Sequence, residues 1–213
     1  DKPMKAGETL LDKSPSTLME KYFSTAPITT SFDDAKTEIM LLGNFDPPES
    51  DFLPLRFLSQ NANGNYIVTK GLYTSWNKSF CLKAGTHGPR GGDGHLYAPL
   101  NGPKAYLVRK LLENWQTKAP GIPQTDVQCL IWAIIARTDV DKMQPKYKAN
   151  LARLLDKQDI AQLATNSLKD KALEAGINKY RAEIPSGIYK VYAAERELRS
   201  MYSKADASYE QFE

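Results

Sequence analysis

The sequence predicts an α+β protein in which a small antiparallel β-sheet packs on two central helices and a helical C-terminal region follows. Two observations indicate this class. Residues 36–83 carry short apolar runs rich in β-branched and aromatic residues, separated by clusters of turn-forming residues. Residues 103–117 and 126–137 carry apolar side chains at helical spacing, and most of residues 144–213 continue that spacing.

We divide the chain into three segments: an N-terminal leader at residues 1–35, a core at residues 36–140 and a helical region at residues 141–213. The leader lacks regular periodicity except for one short helix. That helix is predicted to begin after Ser14, because Pro15 suits the first position of a helix. The core is predicted to hold both the sheet and the residues that carry chemistry.

Four runs in the first half of the core are predicted to form strands. Residues 38–42 are apolar and end at a Gly-Asn pair, whereas residues 52–58 contain a proline that suits an edge strand. Residues 66–69 follow a turn cluster and are rich in β-formers. Residues 72–82 complete the set, and Cys81 is therefore predicted to lie near the end of a strand.

Two helices are predicted in the second half of the core. The first begins after Asn101, a good capping residue, with Pro103 in its opening turn, and Pro120 ends it. The second begins at residue 125 or 126 and is apolar nearly all round, which is typical of a buried central helix. Gln128 is expected in the first turn of that helix, where backbone N–H groups are unpaired.

Composition and charge exclude several classes of function. The chain has 213 residues, of which 41% are hydrophobic and 25% charged, as in ordinary globular proteins. A net charge of +3 with scattered basic residues is too mild for a nucleic-acid partner. No apolar run is long enough to span a bilayer. Because Asp1 is not a natural start, we expect that the N-terminus was trimmed in the cell or cut during preparation, and a removed signal peptide is one cause.

Cys81 and Gln128 are the candidates for chemistry, because a thiol that touches a carboxamide can expel ammonia and form an internal thioester. The bond requires contact between the two groups, exclusion of water, and stabilisation of the carboxamide oxygen. The unpaired N–H groups at the start of the second helix are expected to supply that stabilisation. Aromatic neighbours are expected to exclude water: Phe80, Tyr97, Tyr106, Trp115 and Trp132.

Two short motifs extend this prediction. Phe80-Cys81-Leu82 and Val127-Gln128-Cys129-Leu130-Ile131-Trp132 resemble the aromatic-Cys-Ile/Leu and Thr-Gln-x-Ala-Ile-Trp motifs of bacterial surface thioester domains. In the second motif, Val127 stands where those domains have Thr, and Leu130 stands where they have Ala. Cys129 is an additional cysteine at the variable position. The resemblance implies a secreted or surface-anchored adhesin that bonds covalently to other molecules. It places the thioester on Cys81 and Gln128, and it implies no cofactor.

A structural interpretation of the same residues stays open. Cys81 would then be a small buried hydrophobic residue, and Gln128 would hydrogen-bond the first turn of its helix. A disulfide between Cys81 and Cys129 would also tie the strand to the helix without reactivity. Either arrangement would suit a non-enzymatic structural or assembly subunit of the cell envelope or of a surface filament.

The glycine-rich loop at residues 84–102 holds the two histidines of the chain, His87 and His95. Either histidine could pair with Cys81 in a cysteine-dependent hydrolase. Together with Asp93 they also have the spacing of an open metal site, but a flexible glycine loop is a poor ligand scaffold. We therefore expect no bound metal, and we assign the histidines to the binding surface with Phe80, Tyr97 and Trp132.

The leading prediction is a secreted or cell-surface adhesion module that uses the thioester for a single covalent attachment rather than for turnover catalysis. Its expected partner is a surface protein or glycan that offers an amine or a hydroxyl. The last predicted helix, residues 188–209, is amphipathic and is a candidate for self-assembly.

Overall fold

A computed structural model describes residues 14–28, 48–82, 97–164, 167–204 and 209–212. Helices dominate the described residues. They are α1 Pro15–Ser24, α2 Ala105–Lys118, α3 Gln124–Ile135, α4 Pro145–Leu154, α5 Lys157–Ala164, α6 Ser167–Lys179, α7 Ser186–Met201 and α8 Tyr209–Phe212. None of the helices in these ranges is both long enough and apolar enough to cross a membrane.

The predicted fold class is wrong. Where the structure describes the chain, the sheet has only two strands, β1 (Phe52–Pro54) and β2 (Leu72–Thr74), and they pair in parallel. No residue between 48 and 80 is buried, so neither strand presents a buried face to the helices. β-propensity mainly reports fit to a half-buried pleated surface, and here that surface is missing.

The predictions for residues 66–69 and for Cys81 are also wrong. Residues 66–69 form no strand, although Tyr66 makes one isolated antiparallel bridge with Gln60. Cys81 lies seven residues beyond the end of β2, in a chain segment without regular secondary structure. The predicted strand at residues 38–42 lies outside the described residues.

The helix predictions are confirmed more closely. Pro15 occupies the first turn of α1, and the Ser14 hydroxyl accepts a hydrogen bond from the Thr17 N–H at 3.4 Å. α2 and α3 lie within two residues of the predicted bounds. Every residue of α3 from Asp126 to Ile135 is buried, which confirms the predicted central helix.

α3 lies at the centre of the main hydrophobic core, with α2 and α4 packed against it. Asp126 is buried in the first turn of α3, and its carboxylate accepts from the Lys146 ammonium at 2.6 Å and from the Asn150 amide at 3.1 Å. The buried Tyr202 hydroxyl donates to the Cys129 carbonyl. These polar contacts fix α3 to the elements around it.

A second, smaller core joins the N-terminal helix to the C-terminal region. Its buried side chains come from α1, α6, α7 and the turn before α7: Leu18, Met19, Tyr22, Leu173, Ile177, Ile184 and Tyr192. Arg199 links the two cores, because its guanidinium donates to the Ala136 carbonyl at 2.8 Å and pairs with Glu174 at 2.6 Å. The described part of the leader is thus packed into the fold.

Gly102 is expected to be irreplaceable at the junction between residues 27–28 and α2. Its φ is +109°, and a Cβ built there would lie 2.5 Å from the Pro27 carbonyl oxygen. Gly102→Ala should lower the free energy of unfolding by about 2–4 kcal/mol, from backbone strain and overpacking. Urea denaturation measures this effect.

Gly121→Ala is the matched control, because a Cβ at Gly121 meets no atom within 4 Å. That variant should change stability by less than about 1 kcal/mol. Equal unfolding midpoints for the two variants would contradict the close approach of Gly102 to Pro27.

Candidate functional site

The chain segment 78–82 lies along the N-terminal half of α3, where two glutamine side chains hold its backbone. Gln124 Nε2 donates to the Ser79 carbonyl at 3.1 Å. Gln128 Oε1 accepts from the Cys81 N–H at 2.7 Å, and Gln128 Nε2 donates to the Cys81 carbonyl at 2.8 Å. The structure therefore brings Cys81 and Gln128 together, although they lie 47 positions apart in sequence.

The paired contacts of Gln128 determine where the Cys81 side chain begins. One carboxamide bonds both the N–H and the carbonyl of the same residue. The Cα of Cys81, which joins those two groups, therefore lies opposite the carboxamide carbon, and the thiol branches from that Cα. Rotation about a single side-chain bond moves Sγ relative to the carboxamide carbon.

The contact between Cys81 and Gln128 is buried. Cys81 and Gln128 are each about 5% exposed. Phe80 meets the Trp115 ring edge-on, with ring centres 5.6 Å apart. Lys78 holds its ammonium 4.3 Å from the centre of the same Trp115 ring. Two side chains that precede Cys81 in sequence are thereby anchored on Trp115. Hydrogen bonds in such a low-dielectric environment are stronger than in water.

Trp115 is itself held in place, because its indole N–H donates to the Ile122 carbonyl at 2.8 Å. Ile122 lies in the turn between α2 and α3. The aromatic wall of the site is therefore tied to the same turn that starts α3.

Other aromatic residues from the sequence prediction lie elsewhere. Tyr97 is 71% exposed, and Tyr106 is exposed with its hydroxyl donating to Gln162, so neither encloses the carboxamide. Trp132 is fully buried one turn after Gln128, and its ring stacks on Tyr209 with centres 5.7 Å apart. Within the described part of the chain, the Trp132 indole N–H has no hydrogen-bond partner.

The source of the donor to the carboxamide oxygen differs from the prediction. α3 begins at Gln124 rather than at residue 125 or 126, so Gln128 is its fifth residue. From Val127 onward the helix N–H groups are paired, since the Val127 N–H donates to the Pro123 carbonyl at 3.2 Å. The donor that reaches Gln128 Oε1 is the Cys81 N–H, a main-chain group that no sequence motif reveals.

The two cysteines are not joined by a disulfide. Successive residues of a helix point in directions about 100° apart, and Cys129 accordingly lies on a different wall of α3 from Gln128. There Tyr147 and Tyr202 surround it. Burial is the main cause that raises the pKa of Tyr147 above its ordinary value, and a hydrogen bond with Cys129 is the second cause.

The loop residues proposed for other chemistry, His87, Asp93 and His95, lie outside the described residues. Over the ranges that the structure does describe, no three His, Cys, Asp or Glu side chains converge as a metal site would require. The chemistry available at the described site is that of one thiol, one carboxamide and the backbone groups between them.

Sequence reasoning missed Gln124 and Lys78. The signal for Gln124 was present, because two glutamines four positions apart share one face of a helix. Lys78 gave no comparable signal, since its role depends on where Trp115 packs.

Comparison of the chain with protein-family models, with curated proteins and with solved structures returned no match. The resemblance to thioester domains therefore stays a prediction, and the function has to be argued from the site itself.

Gln128→Leu is expected to destabilise the fold, because leucine has a similar size but removes the two hydrogen bonds that Gln128 makes with the buried Cys81 backbone. Each buried group that loses its partner costs about 1–3 kcal/mol, so the free energy of unfolding should fall by about 2–4 kcal/mol. Urea denaturation at neutral pH provides the measurement.

Gln116→Leu makes the same chemical change at an exposed position of α2 and should alter stability by less than about 1 kcal/mol. Unchanged stability of Gln128→Leu relative to this control would mean that Gln128 does not pair with the Cys81 backbone.

Proposed function

We propose that this protein is a covalent attachment module that forms a thioester between Cys81 Sγ and the side-chain carbonyl carbon of Gln128. The observation that carries the proposal is the contact of one carboxamide with both backbone groups of Cys81, at 2.7 and 2.8 Å. This contact is buried, so the thiol and the carboxamide start in one dry compartment.

Formation of the bond balances without a further reactant. Cys81 Sγ adds to the Gln128 carbonyl carbon, and negative charge develops on Oε1. The Cys81 N–H, 2.7 Å from Oε1, stabilises that charge as an oxyanion-hole donor does. The carbon–nitrogen bond then breaks, and the nitrogen leaves as ammonia with the proton of the thiol. Gln128 gives up its hydrogen bond to the Cys81 carbonyl in this step.

The sulfur, which is the nucleophile in thioester formation, is the leaving group in attachment. An amine or hydroxyl of the partner attacks the same carbon, the carbon–sulfur bond breaks, and the Cys81 thiol is restored by the proton of the nucleophile. Gln128 is then joined to the partner through an amide or an ester. The Cys81 N–H again faces the oxygen that carries the developing charge. Because Gln128 is consumed, each molecule reacts once and the protein is not a turnover enzyme.

The segment that precedes Cys81 supports a role in adhesion. Residues 48–80 lead directly into Cys81 and expose large apolar side chains, with Trp76 at 93% exposure. Phe57, Leu53, Ile67 and Val68 are exposed on the same segment. We assign these side chains to a protein contact surface, because large exposed apolar patches mark such surfaces. We infer a secreted or cell-surface protein whose partner is a surface protein, with a glycan as the other candidate.

A second candidate function is a structural or assembly subunit with the same site and no covalent bond. The observation that favours it is that Gln128 already holds the Cys81 backbone completely through hydrogen bonds. In that case α7, which exposes Ile188 and Val191, is the candidate surface for self-assembly. A cysteine-dependent hydrolase would need His87 or His95, which lie outside the described residues.

The intact mass of the untreated protein, recorded under non-reducing and denaturing conditions, distinguishes these functions. We expect a mass lower than that of the sequence by one ammonia, because thioester formation releases the Gln128 nitrogen. Incubation with methylamine before denaturation should raise the mass of the thioester form by one methylamine, because methylamine opens the thioester and remains bound at Gln128.

Cys81→Ser should show the full sequence mass and no methylamine, whereas Cys129→Ser is the matched control and should retain the ammonia deficit. A wild-type mass equal to the sequence would favour the structural subunit. A mass lower by two hydrogens would indicate a disulfide and would also overturn the thioester.

A further inference from the structure

Gln124 and Gln128 form two successive contacts with the segment that carries the thiol. Four residues of α-helix rise about 6.0 Å, and two residues of extended chain span about 6.6 Å. Glutamines one turn apart can therefore reach residues 79 and 81 of a chain that runs parallel to the helix. The structure shows this pairing, Gln124 with Ser79 and Gln128 with Cys81.

The pairing fixes the register of the segment against α3. In an extended chain, successive side chains and backbone groups point to opposite sides. A slip by one residue would bring the Phe80 backbone opposite Gln128 and turn the Cys81 thiol away from the carboxamide carbon. Register is therefore the condition that decides whether the thiol can reach its target.

The two contacts differ in exposure. Gln128 and Cys81 are buried, whereas Gln124 and Ser79 are exposed. Residues 75–79, which precede the site, are all exposed. Gln124 is thus the outer contact, at the point where the segment passes from solvent into the core.

We propose that Gln124 is a positioning residue for thioester formation: its hydrogen bond to the Ser79 carbonyl sets the register in which Cys81 Sγ faces the Gln128 carbonyl carbon. The inference rests on the proposed function. Once the bond has formed, Cys81 and Gln128 are held covalently and the register no longer depends on Gln124. Gln124 should therefore affect formation of the thioester and leave its transfer to an amine unchanged.

Gln124→Glu tests this role with little change of shape, since the carboxylate cannot donate to Ser79. A carboxylate at the first position of a helix is favourable, so α3 should keep its stability. Gln124→Ala removes the side chain without adding charge. Gln116→Glu makes the same charge change at an exposed position of α2 and is the matched control.

The measurement is the time course of ammonia loss after synthesis in a cell-free reaction, with samples quenched in acid and read by intact mass. Both Gln124 variants should lose ammonia about 3-fold to 10-fold more slowly than the wild type, as expected for one hydrogen bond. Gln116→Glu should match the wild type. The rate at which methylamine opens the completed thioester, and the thermal unfolding midpoint, should be the same for all four proteins.

Three results would overturn the inference, and they are distinct. If the wild type loses ammonia and both Gln124 variants do so at the same rate, Gln124 does not position Cys81, and the proposed function stands. If the wild type keeps its full mass, the proposed function fails and the inference fails with it. Slow formation together with altered methylamine reactivity or a lowered unfolding midpoint would assign Gln124 a purely structural role.

Discussion

The carboxamide of Gln128 satisfies the N–H and the carbonyl of Cys81 at once, and the architecture of the site depends on this interaction. A backbone N–H or carbonyl that is buried without a partner costs about as much free energy as a lost hydrogen bond. The segment that contains Cys81 belongs to no helix or strand, so it has no ladder of its own to meet that demand. A glutamine on a buried helix supplies both partners, and it thereby holds the backbone of the residue that carries the thiol.

This interaction requires a rigid support, and α3 provides it. The helix is buried from Asp126 to Ile135, and it is tied to α4 by the contacts of Asp126. The Tyr202 hydroxyl also donates to the Cys129 carbonyl. Side chains on a helix fixed in this way move little relative to one another, which is the condition for a preorganised site. The N-terminal helix and the C-terminal region stabilise the same unit through the contact of Arg199 with the Ala136 carbonyl.

How much of this could be predicted from the sequence depends on the range of the interactions involved. α2 and α3 were predicted to within two residues because their apolar spacing and their prolines are local signals. The pairing of Cys81 with Gln128 was predicted from the chemistry of the two side chains. The sheet was predicted wrongly, because β-formers between residues 48 and 80 indicate strands only if another element covers them. The donor to the Gln128 carboxamide oxygen was assigned to the start of α3, whereas in the structure it is the Cys81 N–H, whose position follows from tertiary packing.

The central claim is that the contact between Cys81 and Gln128 matures into a covalent bond, and a crystal structure of the untreated wild-type protein tests it most directly. We predict continuous electron density between Cys81 Sγ and the Gln128 side-chain carbonyl carbon, no density for Nε2, and Oε1 still within hydrogen-bond distance of the Cys81 N–H. A complete carboxamide on Gln128 beside a separate Cys81 thiol would contradict the account and would leave the contact as a structural clamp.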